Sequence, residues 1–109
     1  MNDNYDESLK TIYKFRERLT ALNPMLDSLT NRLREICVVQ HINKCGRRFN
    51  LKELINHHNE IYKSKPVSYN KAQLTMTNLV DQGFVDRVRN GIYRLSKSTV
   101  NKYKLKHPS

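Results

Sequence analysis

The sequence predicts a mostly α-helical fold with a small β-hairpin, and three observations carry that expectation. Apolar residues recur every three or four positions through most of the first 82 residues, the period of a one-sided helix. After Gly83 the pattern changes to short runs rich in β-branched and aromatic residues. Between two such runs stands Asn90-Gly91, the strongest short-range signal for a two-residue hairpin, because both residues tolerate positive φ.

The first helix is expected over 5–22. Tyr5, Leu9, Ile12, Phe15, Leu19 and Leu22 form its apolar stripe, at spacings of 4, 3, 3, 4 and 3. Asn23-Pro24 ends it, since the residue before proline avoids the helical region. The same pair opens a second helix expected over about 24–45, with a break possible near Ser28-Leu29-Thr30. Leu29, Leu33, Ile36 and Cys37 continue an apolar face there, Val38, Val39 and Ile42 widen it, and Gly46 stops it.

A short connector, 47–50, leads to a third helix. Asn50 and Glu53 stand at capping-box spacing, and Leu51, Leu54, Ile55, His58, Ile61 and Tyr62 mark the inner face. Lys63 to Val67 is a turn, interrupted by Pro66. Ser68 caps a fourth helix running to about Gln82, with Ala72, Met76, Leu79 and Val80 inward. Phe84–Arg89 and Ile92–Leu95 form the hairpin. The residues after Ser96 are expected to be a short helix carrying Val100, Tyr103 and Leu105, or a basic tail.

A chain of 109 residues suits one core. It divides into an N-terminal helix within 1–28, a domain over 29–96, and a C-terminal segment over 97–109. The net charge is +10, and its distribution is uneven. Residues 1–28 carry −1, whereas the rest carries +11, an excess that favours polyanions through counterion release. No signal-peptide core and no run of 18 apolar residues is present, so a cytoplasmic setting without membrane contact is expected, nucleoid-associated in a bacterium. Cys37 and Cys45 fall in one predicted helix, about 12 Å apart at the helical rise. They cannot pair without unfolding it, which points to reduced thiols.

Leu79-Val80-Asp81-Gln82-Gly83-Phe84-Val85-Asp86-Arg87, followed by Asn90-Gly91-Ile92-Tyr93-Arg94-Leu95, resembles the recognition-helix end and wing of winged helix-turn-helix proteins. The Leu-x-x-x-Gly-Phe-Val-x-Arg pattern is similar to that of MarR and PadR regulators. The resemblance covers about residues 30–96. It implies a winged helix-turn-helix with an extra N-terminal helix, and DNA binding with the 68–82 helix in the major groove. It also implies that the Tyr5–Leu22 stripe builds a homodimer.

Within that reading, Ser68 begins the helix. Tyr69, Asn70, Lys71, Gln73, Leu74, Thr77 and Asn78 project from its solvent side. Asn and Gln pair with adenine edges, while Thr and apolar groups touch thymine methyls, so with Lys71 as the helix's one basic residue the target leans to A·T. Arg87, Arg89 and Arg94, with Asn90 at the tip, form the wing, where arginines enter a minor groove or straddle phosphates. Arg87 has a competing expectation, an internal salt bridge with Asp81 or Asp86. Lys63, Lys65, Arg47, Arg48 and Lys52 flank the turns as phosphate clamps. Leu74 either contacts bases or a partner, or packs under Tyr69 or against the turn.

No cofactor and no metal is expected. Cys37, His41 and Cys45 share a helical stripe, but a structural zinc site needs four ligands. No phosphate loop and no nucleophile–base arrangement appears, so no catalytic residue is assigned and an enzyme is not expected. The leading expectation is a homodimeric transcriptional regulator on duplex DNA. Two others stand beside it. One is a replication or partition accessory protein of a mobile element, acting on duplex or single strands; the other is a protein-interaction winged helix.

Overall fold

A computed structural model of the protein describes residues 28–105. The expected helix over 5–22, with its stripe from Tyr5 to Leu22, lies outside the described residues. Among those residues the fold is four helices and a three-stranded antiparallel sheet.

Helix α1 spans Leu29–Asn43 and is capped by Ser28, whose side chain accepts from Asn31 N at 3.2 Å. This helix therefore begins at the point where a break in the second expected helix was placed. Leu33, Ile36, Cys37, Val38 and Val39 are buried, so α1 is covered on more than one side. It packs against both helices that follow it. Ile42 was expected to widen the inner face but is 43% exposed. The end of α1 also differs from expectation. The helix stops at Asn43, and Cys45 follows outside it with φ of 55°, then Gly46 with φ of 82°. Gly46 N returns to His41 O at 2.7 Å, closing the last turn. Cys37 and Cys45 are thus in different environments, one buried in the core and one exposed in a turn.

The connector after Gly46 contains a strand that the pattern did not announce. Strand β1, Phe49–Asn50, pairs with the hairpin through Phe49↔Tyr93 and Asn50↔Ile92. Two residues carry no readable alternation, which is why the periodicity is silent there. Helix α2, Leu51–Ile61, starts with the expected capping box, in which Glu53 N donates to Asn50 Oδ1 at 2.8 Å. Helix α3, Tyr69–Asp81, is capped by Ser68 and buries Ala72, Thr75, Met76 and Leu79.

Gly83, with φ of 76°, turns the chain out of α3 into strand β2, Val85–Arg89. Strand β3, Ile92–Leu95, returns after the Asn90-Gly91 turn. The sheet order is β1-β3-β2, and the register steps between Arg87 and Arg89, leaving Val88 as the extra residue of a bulge. Helix α4, Lys97–Lys102, follows directly. The helical alternative for the C-terminal segment is the one observed, and Val100 and Tyr103 join the core. The Ser96 hydroxyl joins this helix to the end of α3, donating to Gly83 O at 2.7 Å and accepting from Thr99 N at 3.2 Å. No described helix is long and apolar enough to cross a membrane.

Candidate functional site

Helix α3 has one face in the core and the other open. Its buried positions recur at helical spacing, so Tyr69, Asn70, Lys71, Gln73, Leu74 and Asn78 are left exposed. Leu74 is 69% exposed and Tyr69 49%, so Leu74 is not packed beneath its neighbour. Thr77 departs from the projected solvent face. It is half-buried, because Arg87 of β2 reaches across and donates from Nη2 to Thr77 Oγ1 at 3.0 Å. The Thr77 hydroxyl in turn donates to Gln73 O at 3.1 Å. The Arg87 guanidinium also lies 5.8 Å from the Tyr93 ring centroid. The acidic partners expected for Arg87 are therefore replaced by a hydroxyl and a ring. Asp86 instead faces Arg94, at 4.0 Å.

This arrangement divides the hairpin arginines between two faces. Side chains of successive strand residues point to opposite sides. Arg87↔Tyr93 and Asp86↔Arg94 are neighbouring register pairs, and Arg87 points to α3. Arg94 therefore points away from α3, and Arg89, set opposite Ile92 by the bulge at Val88, falls on Arg94's side, which leaves Arg87 as the hairpin arginine on the α3 side. Arg89 and Asn90 are exposed near the tip. Lys63 and Lys65 stand exposed in the turn leading to Ser68 and the start of α3. Arg47, Arg48 and Lys52 are exposed too. Gly46, the residue before Arg47, lines a cleft together with Arg94.

What holds α3 in place is a buried polar network, invisible in the apolar periodicity. His58 is fully buried on α2. Its Nε2 accepts from Arg32 Nε at 3.1 Å, and its Nδ1 faces Asn59 Oδ1 at 2.9 Å. That pair of contacts selects the neutral ring protonated at Nδ1. Asn59 Oδ1 also accepts from Val67 N at 2.9 Å, which fixes the turn just before α3. Glu35, fully buried on α1, accepts from the Tyr62 hydroxyl. Burial pushes the His58 imidazole below its ordinary range; the Asn59 hydrogen bond opposes this, and the Arg32 charge adds to the lowering. Burial also lowers His57, with Glu60 opposing.

Two basic side chains brace the helix ends. Arg34 on α1 bonds Gln82 at the end of α3 and lies 5.7 Å from the Phe84 ring centroid. Lys44, just past α1, pairs with Glu53 of α2. Since Cys45 has left the helix, the expected Cys37–His41–Cys45 stripe is broken. Among the described residues no group of three or more His, Cys, Asp or Glu comes together.

Comparison of the chain with protein-family models, with curated proteins and with solved structures finds no match.

Proposed function

We propose that this protein binds duplex DNA as a winged helix-turn-helix, with α3 in the major groove and the β2–β3 hairpin as the wing on the flanking backbone. The observation that carries the reading is the open face of α3. Tyr69, Asn70, Lys71, Gln73, Leu74 and Asn78 are all exposed there. Arg87 is bonded to the same helix, and Lys63 and Lys65 precede it.

The chemistry of that face suits base edges. Asn70, Gln73 and Asn78 carry amides that match adenine, Leu74 matches a thymine methyl, and Lys71 is the helix's one basic residue. An A·T-leaning site follows. Lys63, Lys65 and Arg89 supply phosphate contacts, which set affinity and register. The N-terminal stripe pairs two subunits on an operator-like site, as a homodimeric regulator requires.

A second reading has its own support. Leu74 and Tyr69 expose apolar surface on the same face, which also suits a protein partner. Titration of fluorescent duplex and single-stranded DNA at 50 and 200 mM salt separates the two. Contacts from Lys63, Lys65, Lys71 and Arg89 predict a slope of about −3.6 per subunit, or a loss of about 150-fold across that range. Absence of binding, or affinity indifferent to salt, favours the protein partner. Equal binding of single strands contradicts the major-groove reading.

A further inference from the structure

The sheet has one side in the core and one side turned outward. Phe49, Tyr93, Val85 and Leu95 are buried on the inner side, which they share with Arg87. Asn50, Ile92, Arg94, Asp86 and Arg89 hold the alternate positions, on the side turned away from α3. Arg94, Asp86 and Arg89 are exposed there. Arg48, one step before the Phe49↔Tyr93 pair, stands at the register position beside Arg94. Lys97 lines a cleft with Arg94 and Asp86. Both Arg48 and Lys97 are exposed.

This outer side is cationic and poorly neutralised. Asp86 is the acid of the strand positions on it, and it meets Arg94 only at 4.0 Å, with both side chains more than half exposed. Such a pair is long, screened and weak. Arg48 beside Arg94 sets like charges next to each other across two strands, which costs stability. The fold gains nothing from that placement, whereas a polyanion stabilises it. Arg89 and Arg94 are diagonal neighbours across the hairpin, about 7–8 Å apart, so the charge is spread and does not converge on one small anion. Ile92 is the apolar side chain at these positions and is half-buried, so the surface has little to insert into a bilayer. Arginine forks match phosphate oxygens.

We infer that the outer side of the sheet holds the phosphate backbone of a second DNA duplex, with Arg48, Arg94 and Lys97 as sequence-indifferent clamps, so that one subunit bridges two segments. Arg89, beside the hairpin tip, stays with the wing. The inference rests on α3 holding the first duplex, since the outer side points away from that helix.

A bead-bound A·T-rich duplex is loaded with the full chain, washed, and offered a fluorescent duplex of unrelated sequence. Wild type is expected to retain the second duplex. Three phosphate contacts predict a slope of about −2.7 for it, a loss of about 40-fold between 50 and 200 mM salt. The Arg48→Gln/Arg94→Gln/Lys97→Gln variant should load onto the first duplex within about twofold of wild type and retain the second more than about tenfold less well. All three positions are exposed, so the variant keeps the fold, which its thermal unfolding checks. No second duplex on wild type, or equal retention by the triple variant, overturns the bridge alone. A dimer bridging through its two α3 helices gives that second result. If the triple variant does not load at all while Asn70→Ala loads as wild type, the outer side is the DNA surface, and the α3 reading and the bridge both fail. Polyglutamate that displaces the second duplex as well as free DNA does makes an acidic protein the occupant and also overturns the inference.

Discussion

Acidification is expected to destabilise this fold through His58. The ring is buried between α1 and α2, and it serves as an acceptor for Arg32 and a donor to Asn59 at once. Protonation removes the acceptor and sets a second cation against Arg32. Its folded-state pKa lies below the ordinary value of 6.5, chiefly through burial. The unfolded chain therefore takes up the proton first. Stability is full above 6.5 and declines as pH falls toward the folded-state value. One proton gives a limiting slope of about 1.4 kcal/mol per pH unit, and His57, shifted the same way, adds a second contribution of the same sign. Against a domain stability of about 5–15 kcal/mol, one pH unit on that slope is a large fraction. Urea unfolding of wild type and His58→Gln from pH 7.5 to 5.0 measures it. Gln keeps a donor and an acceptor without titrating. The variant should be less stable at neutral pH by about 1–2 kcal/mol and its pH dependence shallower. A wild type whose stability is constant or rises on acidification, or a variant with an unchanged slope, refutes the reasoning.

Three further outcomes are expected. Gly91 has φ of 76° with no atom within 4 Å of a built Cβ, so Gly91→Ala costs only backbone strain, about 1 kcal/mol, seen as a lowered Tm. A thiol reagent should titrate Cys45 rapidly in the native protein. Cys37, fully buried and with its thiol pushed far up by burial, should react only after denaturation; two equally fast thiols contradict the burial. Leu74→Ala should change unfolding stability by less than about 0.5 kcal/mol, since the side chain is 69% exposed, yet weaken duplex binding. A large stability loss shows that Leu74 packs somewhere within the fold.

The local signals in this sequence were read most fully where one residue type has one mechanical role. The Asn50–Glu53 box, the Ser68 cap, the Gly83 exit and the Asn90-Gly91 turn all stand where their spacing placed them. His58 also fell on an inner face by period alone. What escaped were features made by tertiary contact. Strand β1 exists because β3 is beside it. Glu35 and Arg32 are buried because Tyr62 and His58 receive them across α2, and no one-dimensional pattern marks that. Arg87 is drawn to Thr77 and not to an acid, since the strand direction aims it at α3. The separation of Arg87 from Arg89 and Arg94 follows from the register, because the bulge at Val88 sets Arg89 opposite Ile92, and no one-dimensional pattern marks a bulge. Cys45 was misplaced because the α1 stripe continues past the residue where the backbone turns left-handed.

In the proposed complex α3 reads bases while the hairpin holds the backbone. Affinity for a selected A·T-rich duplex and for a scrambled one, measured across salt for wild type, Arg89→Ala and Asn70→Ala, tests it most directly. Arg89→Ala should weaken both duplexes alike and lower the salt slope by about one. Asn70→Ala should leave the slope unchanged and cost about 1–3 kcal/mol on the selected duplex alone. If instead both variants bind both duplexes as wild type does, neither the helix nor the hairpin is the DNA surface.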